Sequence, residues 1–186
     1  MKKIVDAWRS LNLPNQLTLI RVALVPVYLV LLWAFGDDPA LCALPLLTFV
    51  LASLTDMADG KIARKYHLIT NFGKFMDPIA DKLLTHTALI MLCAMDRLNV
   101  VVLIIVVARE FVVSGLRLCA VEQGHVIAAG MSGKIKTVLQ MLLVMLLTVG
   151  RGEPLATILE WATAVMTLYS MVEYVWQNRS VLGGAK

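Results

Sequence analysis

Long apolar runs alternate with short polar connections along this chain, at about residues 16–35, 41–64, 75–95, 100–121, 130–149 and 155–176. A helical run of ~20 apolar residues, rising ~1.5 Å per residue, spans the roughly 30 Å hydrocarbon core of a bilayer. The pattern therefore predicts an all-α integral membrane protein of six transmembrane helices, forming one membrane domain over residues 1–186. Ahead of the runs, Ile4, Val5, Trp8 and Leu11 are interspersed with Lys2, Lys3, Asp6 and Arg9. Such an amphipathic stretch over residues 1–14 predicts a short N-terminal interfacial helix anchored by Trp8, with a chain break at Pro14-Asn15. Met1-Lys2-Lys3 resembles the start of a signal peptide, but the first apolar run is too long and too late, so it is expected to persist as a span.

Four acids cluster at one place in this pattern. Asp56 and Asp59 close the second run, and Asp77 and Asp81 open the third. Spacings of three and four put each pair on one face of a helix. The fifteen residue steps from Leu41 to Asp56, and the fifteen from Asp81 to Asp96, each rise roughly 22 Å, so both pairs are expected at matching depth inside one membrane boundary. Four converging carboxylates repel one another and need counter-charge, which hard divalent cations with oxygen ligands supply. Two such ions, roughly 3.5–4 Å apart, make a site for in-line displacement at phosphorus. A solvated loop whose acids balance Lys61, Arg64, Lys65 and Lys74 is the plainer reading; an acid cluster at membrane depth disfavours it.

Composition agrees with the membrane reading: 59% of the 186 residues are hydrophobic and the mean hydropathy is +0.78. The formal charge is +4, and its distribution carries more information than its sum. Lys and Arg gather at both termini and in or beside every second loop, whereas the intervening loops (36–40, 96–99, 151–154) hold only Arg97 and Arg151. Positive flanks face inward, which predicts a multi-pass protein of the cell (inner) membrane with the acid hairpin on the cytoplasmic side. Nucleic acid is excluded as a partner, because the basic residues are dispersed between spans and not collected on a soluble face. Cys42, Cys93 and Cys119 stand singly inside apolar runs and show no metal or disulfide spacing. His67, His86 and His125 likewise lack ligand spacing.

The acids belong to a longer pattern. Asp56, Asp59, Gly60, Ala63, Arg64, Gly73, Asp77 and Asp81 fill all eight fixed positions of Asp-x2-Asp-Gly-x2-Ala-Arg-x8-Gly-x3-Asp-x3-Asp, the signature of the CDP-alcohol phosphotransferase family. The chain resembles that family. The stretches Asn12–Arg21, Arg109–Arg117 and Gly133–Thr137 look most like the branch that builds phosphatidylglycerol phosphate.

The resemblance implies transfer of a phosphatidyl group from CDP-diacylglycerol to an alcohol, releasing CMP, with two divalent cations, Mg²⁺ or Mn²⁺, as cofactors. It implies that Asp56, Asp59, Asp77 and Asp81 hold the metals and that Asp81 is the catalytic base. Asn15, Thr18, Arg21, Gly60, Ala63, Arg64, Gly73 and Lys74 would bind CDP-diacylglycerol. Arg109, Arg117, Lys134 and Lys136 are the candidate acceptor-phosphate residues: a dianionic phosphate needs such cations, whereas serine does not. An ion pair between Arg109 and its neighbour Glu110 is not expected, since adjacent helical residues point ~100° apart. Glycerol 3-phosphate is accordingly the expected acceptor, membrane lipid the surroundings, and a homodimer the assembly that the resemblance implies. A phosphatidylinositol phosphate or phosphatidylserine synthase is the near alternative. A cation transporter is the distant one, disfavoured because the acids lie at one membrane side only.

Overall fold

A computed structural model describes residues 12–65, 70–124, 127–128, 130–150 and 153–182; within these, the side chains of residues 56–65, 71, 72, 74, 75, 77, 78, 81, 180 and 182 lie outside the description. Every described element is helical: α1 (Leu13–Phe35), α2 (Ala43–Lys65), α3 (Asn71–Ala94), α4 (Val100–Glu122), α5 (Met131–Thr148), α6 (Leu155–Gln177) and a short α7 (Arg179–Leu182). The expected interfacial helix over residues 1–14 falls almost wholly outside the described residues. Where it was expected to end, the structure differs: Pro14 does not break the chain but sits in the first turn of α1, behind an extended Asn12. Proline is tolerated there because the first-turn N–H groups have no intrahelical acceptor to lose.

Three helices, α1, α5 and α6, are long and apolar enough to cross a membrane; shorter apolar stretches cover Ala43–Thr55 in α2 and Lys82–Ala94 in α3. α4 is 23 residues long, but Arg109, Glu110 and Arg117 interrupt its apolar run. Large apolar side chains project outward along these helices, among them Val30, Trp33, Leu47, Phe111, Val165 and Val172, while Asn15, Thr18, Arg21, Arg109, Lys136, Gln140, Thr163, Thr167 and Ser170 are buried. This is a membrane protein, with apolar surface outward and polar side chains inside.

The chain divides into two compact units, residues 1–91 with 148–150, and residues 92–147 with 151–186. In the first, α1 packs on α2. Its buried stripe (Pro14, Asn15, Thr18, Arg21, Val25, Tyr28, Leu32) repeats every three to four residues, as one helix face must. Tyr28 lies 5.5 Å from Phe49 between ring centroids, and its hydroxyl shares a 2.9 Å hydrogen bond with that of Thr148. In the second, α4 packs on α6. Asn99 starts α4 by accepting from the Val101 N–H at 2.9 Å, and its own N–H donates to Glu160, which ties the two helix starts together.

Candidate active site

In the first unit, α2 carries Asp56, Asp59, Gly60, Ala63 and Arg64 on its last turns, and α3 carries Gly73, Lys74, Asp77 and Asp81 on its first. Both arms of the acid motif are therefore helical, so the spacings of three and four act as helical spacings. Of these nine residues only Gly73 has a described environment; the four aspartates, Gly60, Ala63, Arg64 and Lys74 lie outside the described side chains. Among the described residues no three His, Cys, Asp or Glu side chains gather into a metal-binding group. Chemically, a set of four carboxylates at the ends of consecutive helices fits hard divalent cations and suits neither a thiolate nor an imidazole metal.

The start of α3 is held by a residue that the motif does not name. Thr70 precedes the helix, and its Oγ1 accepts from the Gly73 N–H at 3.0 Å, satisfying one of the unpaired first-turn donors. The same hydroxyl donates to Asn15 Oδ1 at 3.0 Å. Asn15 is thus linked through Thr70 to buried Gly73 and the second arm. Thr18 and Arg21 share the buried face of α1 with Asn15, and Arg21 is fully buried. A snorkelling arginine would show its head to water; this one does not.

The second unit gathers another cluster. Arg109 and Lys136, only 7% and 3% exposed, converge on one oxygen of Glu110: Arg109 Nη1 lies 3.2 Å and Lys136 Nζ 3.1 Å from Oε2. The Arg109–Glu110 pair contradicts the expectation from helical geometry. The ~100° offset applies to the Cα–Cβ directions, and both side chains are long enough to curl back across it. Lys136, buried on α5 with Gln140 on the same face, supplies a second positive partner, which offsets the cost of burying the carboxylate. Arg109 Nη2 also donates to Ser170 Oγ at 3.1 Å. It passes so close to Gly133 that a Cβ there would lie 3.2 Å from it.

Arg117, two turns along α4, donates from Nε to the Tyr174 hydroxyl at 3.0 Å, with its guanidinium carbon 5.5 Å from the ring centroid. Arg109 and Lys136 are therefore buried and Arg117 half-buried, whereas Lys134 is exposed. Sequence reasoning missed Thr70, Ser170 and Tyr174, and gave Glu110 no part. Thr70 falls in the variable gap of the motif, and the other two lie 61 and 57 residues from their partners.

Comparison with known proteins bears on this arrangement. Residues 11–169 match the CDP-alcohol phosphatidyltransferase family, a span that contains both motif arms and the α4 and α5 cations. The chain belongs to this family. A Bacillus subtilis (strain 168) protein named CDP-diacylglycerol–glycerol-3-phosphate 3-phosphatidyltransferase is 40% identical, over 92% of this chain and 97% of its own length. A Rickettsia bellii (strain RML369-C) protein of the same name is 39% identical over 88% and 93%. A Mycobacterium tuberculosis (strain ATCC 25618 / H37Rv) protein named probable phosphatidylglycerophosphate synthase is 37% identical over 99% and 90%. Within the CDP-alcohol phosphatidyltransferase family, the resemblance thus extends over nearly the whole chain and beyond the acid motif.

Proposed function

We propose that the protein is a membrane enzyme that transfers a phosphatidyl group from CDP-diacylglycerol to glycerol 3-phosphate, giving phosphatidylglycerol phosphate and CMP. The observation that carries this reading is the complete eight-position motif on the adjoining ends of α2 and α3, in a chain similar along its length to proteins named for that reaction. The acceptor hydroxyl attacks the phosphorus nearer the diacylglycerol, a new P–O bond forms, and the bond to the CMP phosphate breaks.

Asp56, Asp59, Asp77 and Asp81 would hold two divalent cations, Mg²⁺ or Mn²⁺. Their chemistry there would be to offset the charge of the pyrophosphate and of the departing CMP. Asp81 takes the proton from the acceptor hydroxyl as that hydroxyl attacks, and it would also serve as a ligand of the cations. Asn15, Thr18, Arg21, Gly60, Ala63, Arg64, Gly73 and Lys74 bind CDP-diacylglycerol. Arg109, Arg117, Lys134 and Lys136 receive the acceptor phosphate, the only part of glycerol 3-phosphate that needs several cations.

Six helical spans, α1 to α6, cross the cell membrane behind an interfacial N-terminal helix, as a homodimer, with the acid motif facing the cytoplasm; the distribution of Lys and Arg supports that orientation. The test is CMP release by the purified protein with glycerol 3-phosphate, inositol phosphate or serine as acceptor. A strong preference for glycerol 3-phosphate is expected, and preference for either of the others overturns the assignment.

A further inference from the structure

Four hydroxyl residues, Thr163, Thr167, Ser170 and Tyr174, form the buried polar face of α6, and they divide into two kinds. Thr163 and Thr167 spend their hydroxyls on their own helix, donating to the carbonyls of Leu159 (2.7 Å) and Thr163 (2.6 Å). This is how an isolated hydroxyl is satisfied in an apolar helix. Ser170 and Tyr174 instead reach across to α4 and accept from Arg109 and Arg117. α4 and α6 run in the same direction here, since both contacts join later residues of one to later residues of the other.

The contacts differ in what they leave open. On Arg109 both terminal nitrogens are taken, Nη1 by Glu110 and Nη2 by Ser170. On Arg117 the Tyr174 hydroxyl takes Nε, while Nη1 and Nη2 have no partner among the described residues. An arginine held by Nε presents its outer pair of N–H groups as a planar fork, the geometry that matches two oxygens of a phosphate. Holding it in advance removes rotamer freedom that binding would otherwise cost. The Tyr174 ring is buried among Val113 and Leu116, so its hydroxyl is itself fixed.

We infer that Ser170 and Tyr174 are positioning residues for a phosphorylated acceptor: α6 orients the two α4 arginines, Tyr174 presenting the fork of Arg117 and Ser170 fixing Arg109 against Glu110. The inference rests on the reading that these arginines receive the acceptor phosphate. It makes α6, which carries none of the motif, the element that favours phosphorylated over neutral alcohols.

The experiment compares the full-length protein with Tyr174→Phe, Ser170→Ala, Ser170→Thr and Thr167→Val, measuring CMP release while glycerol 3-phosphate and CDP-diacylglycerol are varied separately. Tyr174→Phe keeps the ring and its packing and removes only the oxygen. It is expected to raise KM for glycerol 3-phosphate roughly tenfold, the equivalent of one charge-assisted hydrogen bond, with kcat and the KM for CDP-diacylglycerol little changed. Ser170→Ala should raise the same KM several-fold and Ser170→Thr should restore it, while Thr167→Val leaves it alone. An unchanged glycerol 3-phosphate KM in Tyr174→Phe and Ser170→Ala overturns the inference, as does a fall in kcat and a rise in both KM values that tracks a lowered melting temperature. If the wild type prefers another acceptor, the reaction assignment fails on its own. The inference is then judged by whether Tyr174→Phe selectively weakens a phosphorylated acceptor against its unphosphorylated form.

Discussion

Single side chains decide the chemistry, and their predicted effects differ in kind. Asp81→Asn keeps size and hydrogen-bonding capacity but cannot take a proton, so CMP release should fall by about 10²- to 10⁴-fold, with the protein still folded by circular dichroism. Glu110→Gln removes the carboxylate shared by Arg109 and Lys136. The two buried cations would then lose that shared counter-charge, and a loss of about 3 kcal/mol, read as a lower melting temperature in detergent, is expected. Gly133→Ala places a methyl group 3.2 Å from Arg109 Nη2, and should raise the glycerol 3-phosphate KM without altering that for CDP-diacylglycerol. The eight motif positions were legible from the sequence because their spacing is local and chemical. Glu110 was misjudged because a helical-wheel angle treats a side chain as a fixed vector, and a glutamate beside an arginine is not one.

Among the helices, the interval between α2 and α3 matters most, because both acid arms begin or end there. Thr70 joins two elements of this region, accepting from the Gly73 N–H in the first turn of α3 and donating to Asn15 Oδ1 on α1. Thr70→Val should cost about 1 kcal/mol of stability and lower kcat, whereas Thr70→Ser should retain both; equal behaviour of the two variants would remove Thr70 from the site's support. The helices themselves could be read from apolar run length, and α1, α5 and α6 match that reading. Pro14 was misread because proline ends a helix in its interior but is accommodated in its first turn. The pairing of α4 with α6 had no signal in a single sequence, since the residues that join them are far apart along the chain and each looks ordinary beside its neighbours.

For the protein as a whole, metal dependence and topology are the decisive properties. Chelation should abolish CMP release, and Mg²⁺ or Mn²⁺ should restore it, whereas a thiolate-preferring metal should not. In a chain stripped of Cys42, Cys93 and Cys119, cysteines placed at exposed Asp37 and Glu153 should react with an impermeant maleimide from outside intact cells, and one at exposed Lys134 only after lysis. The opposite pattern would reverse the proposed orientation. Within each unit the exposed apolar residues, Val30, Trp33 and Leu47 in the first and Phe111, Val165 and Val172 in the second, are distinct from the buried polar ones, Asn15 and Arg21 or Arg109 and Lys136, which indicates how a water-soluble version could be designed. Charged residues painted over the outer rows alone would change the solvent the fold tolerates, while the recognition chemistry inside went untouched.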